Sequence, residues 1–169
     1  MEIWDLYDDQ GNSTGETWER SRAKEIPAGK YHIVCGILIR HQDGAFLLTL
    51  RDPQKEIYPG CWEASTGGSA LAGETAEEAA RREMLEETGL TAEGLELISV
   101  TRKPETHSAV YAYLADVSCD KGSVRLQAGE TVDYQWIEPA PFLRLIHEEP
   151  SLKNQYLRYK PYLDKLERE

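Results

Sequence analysis

Cysteine is scarce. The chain of 169 residues has three, Cys35, Cys61 and Cys119, odd in number and without a CxxC spacing. That argues against a disulfide framework and against a zinc knuckle, and makes a reduced, cytoplasmic setting the expectation. Long apolar runs are missing too, and none approaches the roughly 20 residues that cross a bilayer. The opening MEIWDLYDDQ has neither a basic nor an apolar segment, so no secretory signal is expected. Basic residues are in deficit, 19 Lys and Arg against 30 Asp and Glu, for a net charge of −11. The deficit speaks against broad binding to nucleic acid or to an anionic membrane. Repeats and low-complexity tracts are absent. The 40% hydrophobic and 29% charged residues that remain suit one soluble globular domain with its own core.

The acidic surplus is concentrated. Between Glu74 and Glu96 stand eight Glu and two Arg, a local net of −6. A solvated helix face is the ordinary reading of such a run. A site for hard divalent cations, which prefer carboxylate oxygens, is the sharper one.

Residues 1–30 read as a hairpin and an irregular arm, packed on a main domain of residues 31–169. Ile3, Trp4 and Leu6 precede a DDQGN turn. Tyr31–Arg40 is a β-branched apolar strand, returning through HQDGA to a hairpin partner at Phe46–Leu50. Trp62–Thr66 reads as one short strand ending at Gly67 and Gly68. Thr75–Thr88 reads as a helix, opened by a capping box of Thr75 with Glu78 and closed by Gly89. Leu95–Thr101, Ala109–Val117 and Thr131–Ile137 are strand-like. Pro139–Glu148 and Ser151–Leu166 look helical, and Pro161 is expected to shorten or kink the second. The order predicts an α+β fold, a mixed sandwich of sheet and helices.

On the central helix, Glu83 and Glu87 differ by about 40° and Glu86 lies about 60° to the other side of Glu83. Three carboxylates within little more than one turn repel one another, so they need a cation or ion pairs to offset the cost. Arg82, four residues from both Glu78 and Glu86, is placed to neutralise neighbours. Ala76, Ala79 and Ala80 allow close packing, and Gly67 with Gly68 lets the backbone turn sharply before the helix.

The spacing Gly68, five residues, Glu74, seven residues, Arg82-Glu83-Met84, one residue, Glu86-Glu87, one residue, Gly89-Leu90 resembles a complete Nudix box. The resemblance implies a Nudix fold, a mixed sheet between helices, whose loop–helix–loop binds Mg2+ or Mn2+. It also implies hydrolysis of a phosphoanhydride in a nucleotide or other organic diphosphate, a small-molecule substrate. Glu83, Glu86 and Glu87 would be the metal ligands, with the Gly68 carbonyl a further one. Arg82 would orient the glutamates, and Glu74 would hold the loop to the helix. A homodimer with the hairpin as its contact is a family-level expectation.

Outside the box, WDLYDDQGN, RDPQKEIYPGCW and LQAGETVDYQW resemble the isopentenyl-diphosphate-isomerase-like branch. In that branch the positions of Arg51 and Lys55 hold the diphosphate. The isomerase's catalytic cysteine falls at Gly67, its metal-binding histidine at Ser69, and its second glutamate near Thr106–Ser108, where no carboxylate stands. Isomerisation of an alkene, which protonates one carbon and takes a proton from another, therefore lacks the residues that would do both here. Hydrolysis needs a base for water, for which Glu86 and Glu130 are the candidates. His32 and His107 are candidates for contact with metal or substrate, and Tyr58, Trp62, Tyr111 and Tyr113 for stacking on a base. Two further readings stand beside the hydrolase: the isomerase itself, and a module that binds a nucleotide without cleaving it.

Overall fold

The strand His32–His41 (β3) is apolar on both sides, which is the pattern of a strand covered on both faces. Ile33, Cys35, Ile37 and Ile39 point into one core and Leu38 into another. The structure, a computed structural model, describes residues 1–169 and shows what covers each face. Ahead of β3 come the paired strands Ile3–Tyr7 (β1) and Ser13–Glu19 (β2) and a 3-10 turn at Arg20–Glu25. After it come Phe46–Arg51 (β4), Trp62–Ala64 (β5), Thr66–Ser69 (β6) and the helix Ala76–Thr88 (α1). The chain continues through Gly94–Lys103 (β7), Ser108–Val117 (β8) and Thr131–Ile137 (β9). It ends in the helices Pro139–Glu148 (α2) and Pro150–Arg168 (α3).

β3 lies parallel to β8 over ten registered pairs, His32 with Ser108 through His41 with Val117. β7 lines the far side of β8 and β6 the near side of β3, both antiparallel. β4 leaves β3 after the single pair Arg40 with Phe46 and takes β9 and β5 as its own neighbours. α1 covers the odd face of β3 with Ala76, Ala79, Ala80 and Met84. α2 and α3 cover the other face with Phe142, Ile146, Leu152, Tyr159 and Leu163. The result is a mixed α/β/α sandwich. None of its helices is long and apolar enough to cross a membrane.

Two sequence expectations need correction. Trp62–Thr66 is not one strand: the chain changes partner at Ser65, so that Trp62–Ala64 pairs with β4 and Thr66–Ser69 pairs with β3. Gly67 and Gly68 therefore lie inside a strand rather than ending one. The fully buried Ser65 holds the crossing, its hydroxyl donating to the Leu47 carbonyl and accepting from the Ile39 amide. Pro161 does not shorten α3, which runs on to Arg168. The buried side chains Tyr159 and Leu163 on either side of Pro161 anchor the helix there.

The N-terminal hairpin folds its apolar residues inward. Trp4, Leu6 and Ile26 form a small core of their own, and the Trp4 ring stacks on His32 of β3 at 3.7 Å between centroids. The hairpin is thus fixed at the end of the sandwich from which α1 begins, and its Ile3 carbonyl accepts from the Ala72 amide.

Candidate active site

α1 starts where the sequence places it. Thr75 accepts from the Glu78 amide while the Glu78 carboxylate reaches back to the Thr75 amide, and Gly89 ends the helix in the left-handed conformation at φ 73°. Its inward stripe steps by three and four residues through Ala76, Ala80, Glu83 and Glu87. Carboxylates thus occupy two positions where an amphipathic helix ordinarily carries apolar groups. Glu87 is buried, Glu83 is nearly so, and Glu86 on the outer flank is exposed.

These three glutamates line a cleft of about 440 Å3 together with Gly67, Gly68, Arg51, Lys55, Arg82 and Glu130. The structure therefore brings the expected metal ligands, both candidate bases, Arg82 and the two expected phosphate-binding cations to one concavity. Arg82 organises the cluster. Its guanidinium donates to Glu74 at 2.7 and 3.0 Å, to Glu83 at 2.9 Å, to Glu86 at 3.2 Å and to the Ser69 carbonyl at 3.1 Å. Glu74 also accepts from the Leu71 amide, which ties the entry loop to the helix. Arg51 donates to Glu63 at 2.7 Å and to the Ile57 carbonyl at 2.9 Å. Lys55 is 2.6 Å from Glu130.

Burial, then the charges of Glu83, Glu63 and Glu130, push the Glu87 carboxyl up to about 9. Glu83 is raised as well, chiefly by burial and against the pull of Arg82. No three acidic, histidine or cysteine side chains converge into a preassembled metal cage. Like charges repel, and Arg82 draws Glu83 and Glu86 to itself instead. The donor set nonetheless fits a hard divalent cation. It is all oxygen, Glu87 has no cationic partner, and the Glu83 carboxylate lies so close over Gly68 that a Cβ there would overlap it. Gly67 is equally constrained, since a Cβ at that position would run into the Cys35 carbonyl oxygen.

Other expected contacts fall elsewhere. His32 is buried under Trp4 and lines neither this cleft nor the cavity beside it; His107 is also outside both. Tyr113 is core and Tyr111 packs against it, whereas Tyr58 and Trp62 line the adjoining cavity. The sequence reading missed Arg20 and Glu2, which the hairpin brings to the rim of the cleft as a pair 2.7 Å apart. Both are lone charges in an arm without a pattern, and no signal in the sequence sets them apart.

The NUDIX domain family profile matches residues 30–159. An uncharacterised Nudix hydrolase of Listeria monocytogenes is 39% identical over 90 residues, 53% of this chain and 52% of that protein. The chain thus spans about half the length of that curated relative. An isopentenyl-diphosphate Delta-isomerase of Paenarthrobacter aurescens is 26% identical over 161 residues, 90% of this chain and 84% of that enzyme. A crystal structure of a Deinococcus radiodurans protein superposes with a TM-score of 0.69 at 21% identity, over 99% of this chain and 98% of the other. That likeness shows the fold.

Proposed function

The chain belongs to the Nudix family, and from that premise we propose that it hydrolyses a phosphoanhydride bond in a nucleotide or other organic diphosphate, using Mg2+ or Mn2+. The observation that carries this reading is the cleft itself. Buried acid on α1 faces a basic rim of Arg20, Arg51, Lys55 and Arg82. Carboxylates alone would repel a diphosphate, and cations alone would hold it without supplying a site for metal. Both together suit an anionic substrate whose charge must be neutralised during attack.

Glu83, Glu86 and Glu87 would hold the metal, with the Gly68 backbone beside them. The bound cation supplies charge neutralisation and a more acidic water. Arg51 and Lys55 release Glu63 and Glu130 to grip phosphoryl oxygens, and Arg20 closes the rim from the hairpin. Arg82 keeps Glu83 and Glu86 oriented. Of the two candidate bases, Glu130 is engaged by Lys55, whereas Glu86 is open to solvent and held only at 3.2 Å. Glu86 is thus the more open base in the ligand-free cleft, and Glu130 becomes the second once Lys55 turns to the substrate. The three free cysteines support a reducing compartment, the cytoplasm.

The isomerase reading has the Paenarthrobacter relative in its favour. Gly67 stands against it, because the Cys35 carbonyl leaves no room for a catalytic side chain at that position. Phosphorus NMR with Mg2+ and a panel of organic diphosphates, including isopentenyl diphosphate, separates the readings. New phosphate or nucleoside-monophosphate resonances are expected, and Glu87→Gln should slow their appearance at least about a hundredfold. Formation of the allylic isomer without phosphate release would overturn the hydrolase. Tight nucleotide binding with no turnover at any metal concentration would favour the binding module.

A further inference from the structure

A second cavity of about 360 Å3 adjoins the carboxylate cleft, and the two share Arg51, Gly67 and Gly68. Its walls differ in kind. Tyr58 and Trp62 give it aromatic surface, while Arg158 of α3 and Lys103 at the end of β7 bring two cations. The Arg158 side chain sits against β3 where Gly36 leaves space; a Cβ there would fall 2.9 Å from its Nη1 and 3.1 Å from its Cδ. Gly36 is registered opposite Gly67. The guanidinium therefore lies over the strand pair that borders both cavities.

The cations of the first cleft are matched to acids, Arg51 to Glu63, Lys55 to Glu130 and Arg82 to Glu74. Arg158 and Lys103 are matched to none. Glu63, the one acid in this wall, is taken by Arg51. In a protein of net charge −11, two unmatched cations in the wall of one cavity form a receptor for an anion.

We infer that this cavity is the specificity subsite, receiving the organic arm of the diphosphate and reading a second, separate anionic group at the end of that arm. The inference rests on the hydrolase reading for the identity of the first cleft. The anion is a phosphate monoester or a carboxylate, since a guanidinium and an ammonium recognise either. Trp62 and Tyr58 supply aromatic surface for the arm between the two anions.

Matched pairs of ligands test this. Coenzyme A and dephospho-coenzyme A differ by one phosphate; UDP-glucuronate and UDP-glucose differ by one carboxylate. Dissociation constants are measured by calorimetry in EDTA, and kcat/KM with Mg2+. In at least one pair the anionic member should be favoured tenfold or more in both readouts. Arg158→Gln should reduce that preference to within about twofold, Lys103→Gln should weaken it, and Arg158→Lys should restore part of it. Absence of preference in both pairs, or a preference untouched by Arg158→Gln and Lys103→Gln, overturns the subsite. Hydrolysis without preference would leave the hydrolase standing and the subsite refuted. An Arg158-dependent preference in binding without any hydrolysis would do the reverse. The pair that responds identifies the anion.

Discussion

Glu87 is a residue that the bare fold tolerates badly. Burial and three neighbouring carboxylates hold its carboxyl at about 9, whereas in the unfolded chain it ionises near 4.5. The folded state thus binds the extra proton between those values, and stability falls as pH rises from about 4.5 to about 9. Glu87→Gln removes that loss. The variant should melt at a higher temperature than the parent in EDTA at pH 8, while Mg2+ should raise the melting temperature of the parent more than that of the variant. Scanning calorimetry with and without metal checks both. His32 gives the opposite slope. Burial, aided by the nearby charges of Arg20 and His107, pulls its imidazole down to about 4, against 6.5 when exposed. The unfolded chain takes up the proton first, so this contribution is complete above about pH 6.5. It is lost as pH falls towards 4, to the extent of about 3 kcal/mol. Urea unfolding at pH 7 and pH 5 should show a smaller loss of stability in His32→Phe, which keeps the stack on Trp4 and has no ring nitrogen to protonate.

Among the elements, α1 was the most legible and the crossing from β5 to β6 the least. Every determinant of α1 is local: the cap at Thr75, the stop at Gly89, the alanines, and glutamates at a fixed spacing that no tertiary contact has to reveal. The crossing has no local mark. WEAST reads as one strand because each residue there tolerates extended backbone, and the change of partner is imposed by Ser65 bonding two other strands. Ser65→Ala would leave the Ile39 amide and the Leu47 carbonyl short of that partner in a buried place, at a cost of about 2–4 kcal/mol by chemical denaturation. A reduction under 1 kcal/mol would mean that the crossing is held by its backbone alone. The same distinction divides the site. The acids are neighbours in sequence and could be read together. Arg20, Lys103 and Arg158 come from a turn, a strand end and a late helix, and only the folded sandwich brings them to the two adjoining cavities.

At the scale of the whole molecule, the sheet stands between two different coverings, α1 with its carboxylates on one face and α2 with α3 on the other. Gly67 and Gly68 lie where the two cavities meet, so a ligand can pass the end of the sheet without meeting a side chain at either position. The hairpin closes the same end, with Trp4, Leu6 and Ile26 gathered in a small core of its own. The parallel pairing of β3 with β8 has a further consequence. An N-terminal strand that takes a distant later strand as its partner cannot complete its ladder during early synthesis on the ribosome. β6, α1 and β7 emerge in between, and β4 waits longer still for β9. Such long-range pairing slows folding. Through that interval the growing chain carries its most acidic stretch, Glu74 to Glu96, outside any finished core. Mutual repulsion among those glutamates keeps unfinished chains apart, so the charges that serve the mature cleft also guard the newborn protein against aggregation.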